Sequence, residues 1–304
     1  MTKRIVFMGT PDYAAAILTA LIGKDDIEII AVFTQPDKKV GRKQELKMSE
    51  VKVVALEASL EVYQPQKLRD SENVKILQSL KPDMMIVAAY GQILPKDILD
   101  ISPCINLHAS ILPQYRGASP IQQMLLNSDD KGGVTAMLMD EGLDTGDILA
   151  VSLLKIDVNM MLDTLYKKLT DMASDLTLRV VRNFEILNPV PQHACEASHC
   201  GKITKEQGLT ELKDAQDTYN SYRAYTPWPG IFLKNGLKLL DISLYELKAL
   251  HKSAEILEIR SDDVIIGCDN GSIAIKTVQP ASKKAMNIHS YLNGKHLSVG
   301  NSLL

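Results

Sequence analysis

The sequence has few cysteines, few aromatic residues, no long apolar run and no large excess of charge. Four cysteines in 304 residues are too few for a disulfide-stabilised secreted scaffold. No apolar stretch approaches the roughly 20 residues that a membrane-spanning helix needs. The net charge of −3 excludes binding of nucleic acid through bulk positive charge and leaves only local basic patches for such a role. A composition of 45% hydrophobic and 23% charged residues instead predicts an ordinary soluble globular protein.

The start of the chain lacks the pattern of a secretory signal. Its apolar run, within "MTKRIVFMGTPDY", is too short for one and is typical of a first β-strand. The length is sufficient for two domains, each with its own core. We therefore expect a two-domain cytoplasmic protein without a membrane segment.

Motifs for nucleotides and metals are equally scarce. No Gly-x-Gly-x-x-Gly follows the first strand, and no Gly-Lys-Ser/Thr phosphate loop occurs. The stretch "HACEASHC" does collect four possible metal ligands: His193, Cys195, His199 and Cys200. Their spacing matches none of the usual zinc patterns, so we interpret the stretch as an irregular connector and predict no metal.

The first part of the chain alternates strands and helices. "RIVFMG" (4–9) and "IEIIAVFT" (27–34) are typical of parallel strands buried on both faces, and "PDYAAAILTALIG" between them is typical of a helix. Further strands are predicted at 84–89, 104–108, 134–139 and 147–155, and further helices at 49–59, 72–80, 118–126 and 161–183. This alternation predicts an α/β domain over residues 1–188 with a doubly wound, mostly parallel sheet.

The pattern changes after a segment rich in proline and small residues. Residues 189–206 are predicted to be a linker and residues 207–304 a second domain. After a predicted helix near 211–224, five short strands are predicted at 231–234, 237–243, 253–259, 263–267 and 272–278. Turn signals such as Asn235-Gly236 separate them. Five short strands in about 70 residues predict a small antiparallel β-barrel.

Two polar side chains interrupt one of the strands of the first domain. In "INLHASILPQYRGASP" (105–120), Asn106 and His108 alternate with apolar residues, so both project from the same face of the strand. They are either a pair satisfied by local hydrogen bonds or part of a functional site. Their position at the carboxyl end of a strand, where open α/β sheets place ligands, favours a site.

A second polar stretch follows another strand. "MDEGLDTGDIL" (139–149) holds two glycines and four carboxylates, which are Asp140, Glu141, Asp144 and Asp147. These acids are either solvated at the surface or include one that lies beside His108, fixes its tautomer and raises its basicity. Spacing alone does not choose among the four.

A third segment is basic. Residues 35–52, "QPDKKVGRKQELKMSEVK", carry six cationic side chains around Gly41, among them Lys39, Arg42 and Lys43. Charge pattern alone favours a solvated loop. A flexible basic loop that contacts RNA phosphates is the alternative.

The sequence resembles the methionyl-tRNA formyltransferase family over almost its whole length. The matching stretches are "VFMGTPDYAA", "VFTQPDKKVGR", "AYGQILP", "INLHASILPQYRGASPIQ", "GVTAMLMDEGLDTGDIL", "RAYTPWPG" and "QPASKKAM". The resemblance implies a formyltransferase-type Rossmann-like domain followed by an OB-like barrel. It also implies transfer of a formyl group from 10-formyltetrahydrofolate to the α-amino group of methionine on initiator tRNA. A monomer is the simplest expectation.

The resemblance also implies roles for particular residues. Asn106, His108 and Asp144 would be the catalytic trio. Ser110, Ile111, Leu112 and Pro113 would line the folate pocket. The basic loop, with an arginine at the position of Arg42, would reach the acceptor stem. Lysines expected to contact tRNA phosphates are Lys39, Lys43, Lys283 and Lys284.

The sequence departs from the family pattern at several positions. Met48-Ser49-Glu50 replaces a common Pro-Ser-Pro, although Ser49 still fits a helix N-cap, and Ser282 replaces a glycine. The only tryptophan, Trp228, is expected to pack at the start of the barrel.

The polar constellation leaves other functions open. Folate-linked enzymes that act on glycinamide ribonucleotide, an amino sugar or water share the Asn-x-His and Asp pattern. A noncatalytic RNA-binding module is the third hypothesis. The basic loop and the full-length second domain favour a tRNA acceptor.

Overall fold

The computed structural model describes residues 2–41 and 44–304, and the chain divides into two compact units. The first comprises the chain up to Pro120 together with Lys131–Lys155 and Tyr166–Cys200, and the second comprises Ile121–Asp130, Ile156–Leu165 and Gly201–Leu304. Two short segments predicted within the first domain thus belong to the second unit. The domain boundaries at 188 and 207 stay predictions. No helix among the described residues is both long and apolar enough to cross a membrane.

Seventeen strands and eight helices are formed by the described residues. The strands are β1 (Lys3–Gly9), β2 (Ile27–Phe33), β3 (Lys38–Val40), β4 (Glu45–Lys47), β5 (Val62–Tyr63), β6 (Met84–Ala88), β7 (Cys104–His108), β8 (Arg116–Gly117), β9 (Lys131–Leu138), β10 (Ile148–Lys155), β11 (His199–Cys200), β12 (Ile231–Phe232), β13 (Lys238–Leu250), β14 (Ile256–Ile259), β15 (Val264–Gly267), β16 (Asn270–Gln279) and β17 (Met286–Asn287). The helices are α1 (Asp12–Leu21), α2 (Glu50–Glu57), α3 (Ser71–Leu80), α4 (Lys96–Leu99), α5 (Pro120–Leu126), α6 (Leu162–Asn183), α7 (Ala215–Tyr225) and α8 (Ile288–Lys295).

The first unit is built on a seven-stranded sheet in the order β10-β9-β7-β6-β1-β2-β5. The strands from β7 to β5 in this order run parallel. The strand β9 pairs antiparallel with β7 on one side and with β10 on the other. The predicted mostly parallel sheet is therefore confirmed. The short elements β5 and α4 were not predicted, because two to four residues are too few to establish a periodic pattern.

The strand order reverses beside β1. The chain first places β2 and β5 on one side of β1 and then β6 and β7 on the other. Such a reversal opens a crevice at the carboxyl ends of the strands, where ligands bind in open α/β sheets. Gly9 ends β1 there, and a Cβ at this position would lie 2.9 Å from the Ala88 carbonyl oxygen and 2.5 Å from Ala14 Cβ. Glycine is thus required for the close approach of β1, β6 and α1.

The second unit contains an antiparallel sheet in the order β12-β13-β16-β15-β14, with β17 paired to β16. The long pairing of β13 with β16 has four register irregularities, which increase twist and bend the strands as a barrel-like sheet requires. The predicted antiparallel second domain is confirmed.

Buried Arg223 in α7 joins the separate segments of the second unit. Its guanidinium donates to the carbonyl oxygens of Leu125 and Met160, both at 3.3 Å, and to Asn220 Oδ1 at 2.6 Å. It also lies 5.6 Å from the centre of the Tyr219 ring. These contacts explain why residues 121–130 and 156–165 belong with the C-terminal part of the chain.

The expectation for Trp228 is wrong. Its side chain is 58% exposed, whereas the nearby Ile231 and Leu233 are buried. The aliphatic residues that follow the turn fill the core at the start of the sheet, so the indole is left in solvent.

The predicted N-cap at Ser49 is confirmed. Its Oγ accepts a hydrogen bond from Lys52 N at 3.1 Å and lies 2.7 Å from Thr34 Oγ1. The helix α2 therefore begins at Glu50 without the prolines of the family pattern.

Ser49→Ala should lower the free energy of unfolding by about 1 kcal/mol, because it removes the cap of α2. The measurement is urea denaturation followed by circular dichroism. Ser49→Thr keeps the hydroxyl, so it should lower the free energy of unfolding by less. Equal stability of the alanine variant and the parent protein would contradict a stabilising role for this cap.

Candidate active site

The end of β7 carries the two polar side chains singled out in the sequence. Asn106 is half-buried and His108 is only 7% exposed. The Tyr13 hydroxyl of α1 donates to the Leu107 carbonyl oxygen at 3.2 Å and fixes the strand end between them.

One carboxylate meets both side chains. Asp144 follows β9, and its Oδ1 accepts from Asn106 Nδ2 at 3.3 Å while its Oδ2 lies 3.7 Å from His108 Nδ1. Asp140 instead stabilises its own loop, because its Oδ1 accepts hydrogen bonds from Gly142 N at 3.0 Å and Thr145 Oγ1 at 2.6 Å. Asp144 is thus the carboxylate of the four that reaches the strand end beside the pair.

The backbone around Asp144 is tightly constrained. Asp144 has a left-handed conformation with φ +54°, which is uncommon for residues other than glycine. A Cβ on Gly146 would overlap with the Leu138 carbonyl oxygen, and one on Gly142 would overlap with the Thr145 side chain. The two glycines let the loop fold closely enough to aim the carboxylate at β7.

The His108 ring is oriented by a main-chain group. Its Nε2 lies 2.9 Å from the Tyr115 carbonyl oxygen. Because a carbonyl oxygen only accepts, Nε2 carries a proton and Nδ1 is the nitrogen that faces Asp144. A carboxylate that fixes this tautomer was one of the two alternatives open from the sequence, whereas the hydrogen bond that fixes it is made with the Tyr115 carbonyl oxygen.

The loop after β7 also makes a hydrogen bond with the Asp144 carboxylate. Gly117 N donates to Asp144 Oδ2 at 2.8 Å, so the carboxylate bonds to an amide of the main chain as well as to Asn106. Sequence analysis missed Tyr115 and Gly117, because they act through backbone atoms that every residue shares.

The predicted linker contributes to this site. The strand β11 pairs with β8, and Ser198 Oγ accepts from Tyr115 N at 2.9 Å. The Gln192 side chain bonds to the carbonyl oxygens of Asp144 and Gly146 at 3.0 and 2.7 Å. These residues were not predicted, although the dense run of polar and small residues there was an available signal.

The four residues predicted to line a folate pocket follow His108 directly. Ser110 and Leu112 are buried, whereas Ile111 and Pro113 are partly exposed. The Ser110 hydroxyl donates to the Gln114 carbonyl oxygen at 2.6 Å. Ser110 therefore shapes the turn, and the accessible apolar surface comes from Ile111 and Pro113.

The basic segment contains a β-hairpin formed by β3 and β4. Lys39 is exposed on β3. The predicted tRNA-binding residues Arg42 and Lys43 lie outside the described residues. The segment differs from the expected flexible loop in the regular antiparallel pairing of Lys38–Val40 with Glu45–Lys47.

A polar network holds the base of this hairpin. Lys52 Nζ donates to Asp37 Oδ2 and to Gln64 Oε1, both at 2.7 Å, and Gln64 Nε2 donates to Asp37 Oδ1 at 2.7 Å. The hydrogen bonds from Lys52 and Gln64 lower the pKa of Asp37. The anchor therefore remains intact at neutral pH and is lost only as pH falls through that lowered pKa.

Lys283 and Lys284 are both exposed in the connection between β16 and β17. The preceding Ser282 has φ +61°, a left-handed conformation that explains why the family pattern has glycine here. Both lysines are accessible to an anionic ligand.

The four possible metal ligands of the connector do not form a cluster. Cys200 is buried and its thiol lies 3.4 Å from the Tyr115 carbonyl oxygen, whereas His193, Cys195 and His199 are exposed. Burial raises the pKa of the Cys200 thiol, which disfavours a thiolate ligand. Within residues 2–41 and 44–304, no group of three His, Cys, Asp or Glu side chains is placed to hold a metal ion.

Comparisons with known proteins identify the family and the fold. The formyl transferase family model matches residues 3–181, and the formyl transferase C-terminal domain model matches residues 202–296. Among solved structures, the N-formyltransferase from Helicobacter canadensis in complex with folinic acid and dTDP-3-aminofucose has a TM-score of 0.67 at 19% identity, covering 90% of this chain and 99% of that one. HypX from Aquifex aeolicus in complex with tetrahydrofolic acid has a TM-score of 0.62 at 18% identity, covering 98% of this chain and 48% of that one. At these identities the structures establish the fold alone.

Closer sequence relatives establish the family. The chain is 52% identical over 300 residues to the methionyl-tRNA formyltransferase of Sulfurimonas denitrificans, with 99% of both chains covered. It is 49% identical over 303 residues to that of Helicobacter pylori, again with 99% of both covered. The chain belongs to the methionyl-tRNA formyltransferase family.

Proposed function

We propose that this protein transfers a formyl group from 10-formyltetrahydrofolate to the α-amino group of methionine on initiator tRNA, and that it works as a cytoplasmic monomer. The observation that supports this most is the meeting of Asn106, His108 and Asp144 at one strand end. The product, N-formylmethionyl-tRNA, serves translation initiation.

Asn106 supplies a hydrogen-bond donor for the reaction. Its Nδ2 faces Asp144 Oδ1, and an amide nitrogen carries two hydrogens. One hydrogen bonds to Asp144, and the other is free to donate to the oxygen that becomes negative when the amine attacks the formyl carbon. Loss of one such donor typically lowers the rate ~100–1000-fold.

His108 and Asp144 are assigned the transfer of a proton and the stabilisation of charge. Because Tyr115 occupies Nε2, only Nδ1 is available to exchange a proton with the reacting groups. Free α-amino groups titrate at roughly 7.7–8.0, and the neighbouring ester lowers that value further. Much of the nucleophile is thus neutral near pH 7, and a strong base is unnecessary. Asp144 stabilises the protonated imidazole.

The folate-binding role is assigned to the segment after His108. The partly exposed Ile111 and Pro113 offer apolar surface for a flat ring system, while buried Ser110 and Leu112 support the turn beneath them. When bound there, 10-formyltetrahydrofolate supplies the formyl group. Residues of this segment exclude water from the transfer.

The tRNA-binding role is assigned to exposed cationic residues. Lys39 on the hairpin and Lys283 and Lys284 in the second unit are exposed and would contact the RNA backbone. Arg42 and Lys43, which lie outside the described residues, are assigned the same role from the sequence alone. Because the net charge is −3, such local patches have to supply the attraction to phosphates.

The function is tested with purified protein, 10-formyltetrahydrofolate and methionyl initiator tRNA. Formylation of the charged tRNA, with no transfer to free methionine, an amino sugar nucleotide or water, is the expected result. Equal or faster transfer to one of the other acceptors would reject the proposed substrate.

Asn106→Ala should lower kcat by roughly 100–1000-fold, and His108→Ala and Asp144→Ala should also lower it strongly. The affinity for tRNA should change little, because the trio acts on the reacting atoms. Single-turnover kinetics and filter binding separate the two quantities. His193→Ala, at an exposed histidine of the connector, is the matched control. A normal kcat in any variant of the trio would remove that residue from the mechanism.

Lys39→Ala and Lys52→Met should weaken tRNA binding in distinguishable ways. Lys39 would lose a phosphate contact, so the slope of log K against log salt should fall in magnitude by about 0.7–0.9. Lys52 anchors the hairpin base without touching RNA, so Lys52→Met should lower affinity several-fold at an unchanged salt slope. Binding titrations over a range of salt provide the measurement.

Folate affinity should be unchanged in both lysine variants. If Lys52→Met bound tRNA as tightly as the parent protein, the anchor would have no role in presenting the hairpin. An unchanged salt slope for Lys39→Ala would exclude Lys39 from the phosphate contacts.

A further inference from the structure

Gln192 lies in the predicted linker, in a segment to which no catalytic role was assigned. Its side-chain amide makes hydrogen bonds with both of its ends. Nε2 donates to the Asp144 and Gly146 carbonyl oxygens at 3.0 and 2.7 Å, and Oε1 accepts from Arg116 Nε and Nη2 at 3.1 and 2.8 Å. The amide thus bridges the loop after β7 and the loop after β9.

Arg116 determines which way the Gln192 amide faces. A guanidinium group donates only, so the amide oxygen has to face Arg116. The two hydrogens of Nε2 are then directed at the two carbonyl oxygens beside the Asp144 carboxylate. Arg116 is itself 7% exposed, which removes competing water from these bonds and strengthens them.

The two bridged loops carry the other contacts of the site. Tyr115 O bonds to His108 Nε2, and Gly117 N bonds to Asp144 Oδ2. Arg116 stands between these residues in the chain. Gln192 therefore closes a ring in which His108 and the backbone and side chain of Asp144 are all held against residues 115–117.

The Asp144 loop needs such a restraint. Asp144 has a left-handed conformation with φ +54°, which is uncommon for a residue with a side chain and persists where the surrounding structure imposes it. Asp140 stabilises the loop through its hydrogen bonds with Gly142 N and Thr145 Oγ1. The bonds from Gln192 act on the residue that carries the carboxylate and on its second neighbour.

We propose that Gln192 is a positioning residue for formyl transfer, which fixes the Asp144 carboxylate toward Asn106 and His108 through the backbone of its loop. The proposal rests on the proposed function. It gives the connector a part in catalysis, with Arg116 orienting Gln192 and Gln192 orienting Asp144. Neither Gln192 nor Arg116 needs to touch a substrate.

Gln192→Glu is the sharpest variant. It keeps the size of the side chain and improves the acceptor for Arg116, but it replaces the two donated hydrogens with an oxygen that faces two carbonyl oxygens. We expect kcat to fall roughly 10–100-fold, the range seen when groups that orient catalytic ligands are removed. The KM values for tRNA and folate should change less than about 3-fold, because binding contacts remain. Gln192→Met, which lacks both donor and acceptor, should show the same loss of kcat.

The control is Gln78→Glu, the same change at an exposed position of α3, which should leave kcat unchanged. Wild-type kcat in Gln192→Glu, with loss only in Gln192→Met, would mean that the glutamine merely satisfies Arg116, and it would overturn the proposal. A raised KM with normal kcat would overturn it as well.

A double-mutant cycle distinguishes positioning from a general structural effect. Combined with Asp144→Asn, Gln192→Glu should cause almost no further loss of single-turnover rate, because the glutamine acts through the carboxylate already removed. Full additivity of the two losses would overturn the proposal. Since each comparison is made with the formylation rate of the parent protein, failure of the proposed function is recognised separately by an inactive parent.

Discussion

The arrangement of the site depends on one half-buried carboxylate. Asp144 is 12% exposed in its side chain, and a charge so placed is stable only if donors surround it. The Gly117 amide donates to Oδ2 and the Asn106 amide donates to Oδ1, while His108 Nδ1 lies 3.7 Å from Oδ2. These groups come from β7 and from the loop that follows it. The carboxylate therefore fixes the relative positions of β7, the loop that follows it and the loop after β9.

The same carboxylate determines how His108 can act. A neutral ring protonated on Nε2 presents a lone pair to Asp144 Oδ2 at 3.7 Å, whereas an imidazolium presents a proton. The Tyr115 carbonyl oxygen accepts from Nε2 in both forms, so the two forms differ in the proton on Nδ1. In the proposed mechanism, a proton therefore reaches or leaves His108 only through the nitrogen that faces Asp144.

The sequence predicted these parts unequally, and the reasons are physical. The pair Asn106 and His108 was accessible because side chains alternate along a strand. Asp144 was named only through the family resemblance, because the choice among the four carboxylates depends on a left-handed residue and on close approaches at Gly142 and Gly146 that spacing does not encode. The sheets followed from hydrophobic periodicity. The error at Trp228 came from treating a large apolar residue as core, although aliphatic neighbours already filled that space.

The connector is the segment whose structure the local sequence pattern predicted least well. An irregular, polar segment is ordinarily interpreted as a tether, because loops have no periodicity that reports burial. Here the segment pairs with β8 and bonds to the Asp144 loop, so its backbone and side chains are part of the wall of the site. Its histidines and cysteines suggested a metal site by residue type, yet the side chains that hold Tyr115 N and the Asp144 loop belong to a serine and a glutamine. In such a segment, the presence of histidine and cysteine therefore suggests the wrong function. Side chains that can donate hydrogen bonds to neighbouring carbonyl groups are the better guide to which residues matter.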